Sequence, residues 1–90
     1  MRLTLPAKVT LAQAAAIARD LSAQCRSAGA VVTLDVSALQ VFDSSVLSVL
    51  LQCRRACSAR GQHLELTGLP LRIQNLARLY GIAELFESVD

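Results

Sequence analysis

Apolar residues recur along this chain in two rhythms, and the switches between them predict its elements. Arg2 to Leu5 alternates polar and apolar residues, as a short half-buried strand does. Pro6 has no backbone N–H to donate, so it ends that strand or confines it to an edge. From Leu11 the spacing turns helical. Leu11, Ala14, Ala15, Ala18, Leu21 and Cys25 share one face of a helix running to about Ser27, with Thr10 as N-cap and Gly29 closing it. The small alanines let that helix lie close against a sheet. Val31 to Val36 is a nearly continuous apolar and β-branched run, which predicts a central strand. Asp35 interrupts the run, and a carboxylate there belongs at the rim, bonded to backbone amides of the following turn.

The helical rhythm returns with Val46, Val49, Leu50, Cys53 and Cys57, giving a second helix from about Ser44 to about Arg60 that ends at Gly61. Asp43 stands where its N-cap belongs. His63 to Thr67 forms the next strand, with Leu64 and Leu66 facing inward. Gly68 and Pro70 break the chain, and a third helix covers Leu71 to Tyr80 with Ile73, Leu76, Ala77 and Tyr80 on its inner stripe and Gly81 at its end. Ile82, Leu85 and Phe86 make an apolar closing segment. The order β-α-β-α-β-α predicts a single α/β domain over residues 1–90, a small sheet with helices packed on it and right-handed crossovers.

Composition narrows the function classes. Ninety residues hold one core, without room for a catalytic domain and a lid. The only rings are Phe42, Tyr80 and Phe86, which provides poorly for stacking on nucleic-acid bases. The net charge of +2 is small, and Arg54, Arg55 and Arg60 are interleaved with apolar residues, as on a solvated helix face; no nucleic-acid partner is expected. No apolar run approaches the ~20 residues of a membrane span, and the N-terminus lacks the zones of a signal peptide. A cytoplasmic address without direct membrane insertion is expected. Cys25, Cys53 and Cys57 contain no C-x-x-C pair and read as small core hydrophobes, with no metal site prepared by their spacing. His63 reads as a surface or edge residue.

Ser44 and Ser45 are the hydroxyls best placed to act. A nucleophilic serine needs an adjacent base, however, and the one histidine, His63, begins a strand on the far side of a helix. Asp35 and Asp43 have ordinary structural duties, and the four glycines stand singly as stops, leaving no phosphate-cradling loop. No enzyme and no cofactor are expected. The Asp43-Ser44-Ser45 turn can do something narrower. Asp43 accepts from the N–H of Ser45 or Val46, and the serines are held in the first helical turn, available to a partner or to a phosphate favoured by the helix dipole.

Several segments together resemble the STAS domain family (sulfate transporter and anti-sigma factor antagonist). They are Val32-Thr33-Leu34-Asp35-Val36-Ser37, Val41-Phe42-Asp43-Ser44-Ser45-Val46-Leu47, Leu64-Glu65-Leu66-Thr67-Gly68 and the end from Leu76 to Phe86. The resemblance implies a small mixed sheet of about three or four strands, with helices mainly on one side. It also implies that Ser44, the first hydroxyl after the turn aspartate, is the phosphorylated or partner-facing residue. The strand with which the family usually begins, before Arg2, is expected to be missing or truncated.

Two groups within the family compare with the chain. Anti-sigma factor antagonists read D-S-[ST]-G-L, and a partner kinase phosphorylates the serine; here Val46 takes the glycine's place, where its branched side chain is expected to crowd the kinase. The small MlaB-type subunits of Mla phospholipid ABC transporters are similar in length, in the D-[ST] turn and in Leu76-Ala77-Arg78-Leu79-Tyr80. That likeness implies a non-catalytic adaptor in phospholipid transport and outer-membrane lipid asymmetry. It would dock on an MlaF-like ATPase subunit through Asp43, Ser44, Ser45 and Leu47, with Arg78, Leu79 and Tyr80 as a second patch. Its place would be the cytoplasmic side of the inner membrane, held there by its partner.

Overall fold

A computed structural model describes residues 2–81. Its elements are β1 (Arg2–Thr4), β2 (Lys8–Val9), α1 (Leu11–Cys25), β3 (Val31–Asp35), β4 (Val41–Phe42), α2 (Ser45–Ala59), β5 (His63–Thr67) and α3 (Leu71–Leu79). The expected α/β class and helix-strand alternation are present. The closing segment Ile82, Leu85 and Phe86 lies outside the described residues.

β1, β3 and β5 form one sheet in that order, and β2 pairs with β4 in a second. Every described pairing is parallel, where the family resemblance implied a mixed sheet. The physical reason is connectivity: a helix lies between successive strands of each sheet, so the chain returns to the same end before each new strand begins. β2 and β4 were not foreseen, because two residues carry no readable period. They repeat one device, since each follows a longer strand and ends just before a helix. Their register pairs Val9 with Phe42, and this brings the starts of α1 and α2 side by side.

Burial alternates along the strands. Leu3, Val32, Leu34 and Leu66 face the core, while Arg2, Thr33, Asp35 and Glu65 are at least partly open to solvent on the other face. α1 and α2 pack against each other on the apolar side, through Ala14, Ala18, Leu21 and Cys25 from the first and Val46, Val49, Leu50, Cys53 and Cys57 from the second. Fully burying one leucine- or valine-sized side chain contributes roughly 1.5–3 kcal/mol. This shared core therefore holds α1 and α2 to the sheet.

The inner stripe of α1 is narrower than expected. Leu11 is 79% exposed and Ala15 is exposed as well, because the stripe begins one turn later, at Ala14. α1 stops at Cys25 instead of near Ser27. At its start, Gln13 Oε1 accepts from the Thr10 N–H at 3.0 Å and from the Thr10 hydroxyl at 2.6 Å. On α3, Ile73 and Ala77 are buried and Leu76 half-buried, but Tyr80 lies just past the helix and is 56% exposed.

Asp35 occupies the rim position expected of it. Its Oδ1 accepts from the Ser37 N–H at 2.9 Å and the Ser37 hydroxyl at 2.6 Å, and Arg2 reaches Oδ2 at 3.1 Å. The Ser37 hydroxyl, its N–H and the Arg2 guanidinium lower the carboxyl to about 2. Gly68 closes against the same turn. It has φ +65°, and a Cβ there would stand 2.7 Å from the Ser37 Cβ. Only glycine fits without a shift of backbone.

Candidate docking site

The β2–β4 pairing sets up the site. Beyond Val9 and Phe42 the pairing continues with the Asp43 N–H bonded to the Val9 carbonyl at 3.4 Å, which carries the Asp43 side chain toward the start of α1. Its Oδ2 accepts from the Leu11 N–H at 3.1 Å, and its Oδ1 accepts from the Ser45 N–H at 2.9 Å and from the Ser45 hydroxyl. One carboxylate thus serves the open N–H groups of two helices. The Ser45 hydroxyl, then the Leu11 and Ser45 amides, hold its pKa below the usual carboxylate value. These bonds stabilise the charged form, and the positive helix ends favour it further.

Asp43 does not occupy the N-cap position itself. Ser44 does, with φ −63° and ψ −15°, and its hydroxyl makes no capping bond. Because Ser44 already has helical backbone angles, the capping carboxylate reaches in from one residue earlier. The two serines therefore divide their work. Ser45 is committed to Asp43, whereas Ser44 is exposed at the helix start. Val46, expected to crowd that hydroxyl, is fully buried, so its side chain points into the core.

Ser44 lines an open depression of about 320 Å³ together with Leu47, Ser48, Leu51 and Tyr80. Leu47 is only 5% exposed, so it forms floor and does not project as a contact residue. Tyr80 forms part of the lining, so one residue of the second expected patch meets the first. Arg78 and Leu79 are exposed, and Leu79 lines a separate depression with Arg72, Asn75 and Leu76. Sequence reasoning missed Ser48 and Leu51, although Ser44, Leu47, Ser48 and Leu51 fall at the i, i+3, i+4, i+7 spacing of one helix face. That spacing was a usable signal.

Exposed Leu11 and Val41 belong to the two elements that meet at this turn. The Leu11 amide is bonded to Asp43, Val41 lies two residues before Asp43, and Leu71 adjoins Arg72, whose guanidinium sits 4.9 Å from the centre of the Phe42 ring. Leu11, Val41, Leu71, Leu79 and Tyr80 are five of the six large apolar residues exposed among the described residues, the sixth being Val31. His63 lies elsewhere, on β5, with its Nε2 3.9 Å from Glu65 Oε1.

No helix among the described residues is long and apolar enough to cross a membrane. No curated protein matches the chain. The family model described as "Mlab, STAS domain" matches residues 1–87, and the chain belongs to this MlaB-type STAS domain family.

Proposed function

We propose that this protein is a non-catalytic cytoplasmic adaptor that binds the ATPase subunit of an Mla-type ABC transporter and supports phospholipid transport and outer-membrane lipid asymmetry. STAS domains generally mediate protein–protein interactions, and the MlaB-type family match supports the transporter setting. One observation carries the reading: Ser44 and Tyr80 share an open depression with Leu47 and Leu51, and α3, the helix that leads into Tyr80, carries Arg72 and Arg78. An apolar helix face with an acidic edge on the ATPase is complementary to it. Ser44 stands on a preformed helix start, so docking costs little ordering of this chain.

Ser44→Glu tests the proposal. The first helical turn tolerates an acidic residue, so the fold should persist while the added charge and bulk break the complex. Co-purification of the variant with the ATPase subunit at the wild-type yield would refute the assignment.

A second reading is favoured by the free hydroxyl of Ser44 and by the burial of Val46, which leaves that hydroxyl uncrowded. In it, the protein is an anti-sigma factor antagonist and Ser44 is the phosphoacceptor. Intact-mass measurement after incubation with candidate anti-sigma kinases and ATP should then show one added phosphate, lost in Ser44→Ala.

A further inference from the structure

The three cysteines are scattered in sequence, yet they converge. Cys25 ends α1, Cys53 and Cys57 lie one turn apart on α2, and the three sulfurs are all within 4.8 Å of one another. Cys25 Sγ and Cys57 Sγ are 3.7 Å apart. Each thiol is free, and none is more than 1% exposed.

Three sulfurs bound at about 2.3 Å to one pyramidal three-coordinate centre, with bond angles of roughly 97°, stand roughly 3.4 Å apart. The Cys25–Cys57 pair at 3.7 Å is close to that spacing, and the wider pairs, all within 4.8 Å, must draw in by at most about 1.4 Å. No histidine or carboxylate joins the cluster among the described residues, so the tetrahedral set of a structural zinc site is incomplete. We propose that Cys25, Cys53 and Cys57 form a three-sulfur binding site for a soft, three-coordinate thiophilic centre, with trivalent arsenic as the species whose chemistry fits.

Charge selects among the thiophilic species. A monocation held by three thiolates leaves two net negative charges, and a dication leaves one, in an apolar core that penalises both. Arsenous acid condenses with three thiols to give a neutral product. Three As–O bonds break, three As–S bonds form, and each thiol proton leaves with a hydroxyl as water. Arsenic stays trivalent, and no oxidant or reductant is required.

Entry is through the ends of the helices. Cys25 is the last residue of α1 and Cys57 lies in the last turn of α2. Gln62 Nε2 closes this end by donating among the carbonyls of Cys25, Ala28 and Gly29, at 2.9, 3.1 and 3.0 Å. Fraying of these ends exposes the thiols, so loading is slow and the bound centre then cross-links α1 to α2.

The test is native mass spectrometry of the reduced full chain after incubation with sodium arsenite, with thermal unfolding in parallel. The expected product is one adduct with the mass of the protein plus arsenous acid less three waters, and a raised Tm. Cys53→Ala should give at most an adduct less two waters, because one hydroxyl stays on arsenic. An unmodified wild-type chain, or a wild-type adduct that has lost only two waters, overturns the proposal. Because the wild-type mass alone distinguishes three sulfurs from two, the test does not depend on the folding of a variant.

Discussion

The carboxylate of Asp43 accepts a hydrogen bond from the backbone N–H of Leu11, 32 residues earlier in the chain, at 3.1 Å. With its other oxygen it holds Ser45, so a single side chain ties the starts of α1 and α2 into one unit. This bridge keeps Ser44 at a defined place beside the apolar residues around it. Asp43→Ala should lower Tm by a few degrees and weaken partner binding without changing the secondary structure. Asp43→Asn, which keeps an acceptor, should lose less. Circular dichroism melts and a binding isotherm check both.

Tyr80 should contribute to binding and not to folding. It is more than half exposed and shares the depression with Ser44, so Tyr80→Ala is expected to leave Tm nearly unchanged. Affinity for the proposed ATPase partner should fall at least about tenfold, as for a central aromatic contact. Calorimetric titration distinguishes this from a global loss of fold.

Gly68→Ala should destabilise the protein by roughly 1–3 kcal/mol, from the positive φ and the collision with Ser37. Gly29→Ala is the control. A Cβ there meets nothing within 4 Å, and φ is not positive. Urea midpoints for the two variants should therefore fall on opposite sides of a clear gap.

Acid should expose the work of the two turn aspartates. Asp35 is lowered from 3.8 to about 2 and Asp43 is lowered as well, so each contributes stability that is fully present above the unfolded-state value. That contribution fades as pH falls through the folded-state value. Tm should hold down to about pH 4 and then drop toward about pH 2. The drop should be shallower in Asp35→Asn, which is less stable at neutral pH.

Leu50 is fully buried in the core. Leu50→Ala should cost about 2–5 kcal/mol, the range for a leucine cavity that relaxes incompletely. Its expected signature is a lower urea midpoint with an unchanged slope.

Local periodicity determined a great deal. The stripe Val46, Val49, Leu50, Cys53 and Cys57 is wholly buried, His63–Thr67 is a strand, and Asp35 sits at the rim bonded to the Ser37 amide, all as the residue pattern implies. Such features depend on neighbours a few positions away, which the chain writes in plain order. The sequence by itself thus determined the three helices and the three longer strands, their order and most of the core.

Only the tertiary structure decided which ends of those elements meet. The two-residue pairing of Lys8–Val9 with Val41–Phe42 has no period to read, yet it places Asp43 against Leu11 and turns Leu11 outward into the surface. The convergence of Tyr80 on Ser44, and of Cys25 on Cys53 and Cys57, likewise joins positions more than 25 residues apart. The physical reason is the same in each case: hydrophobic spacing specifies which face of an element is buried, while register between distant elements is set by packing that no single segment contains.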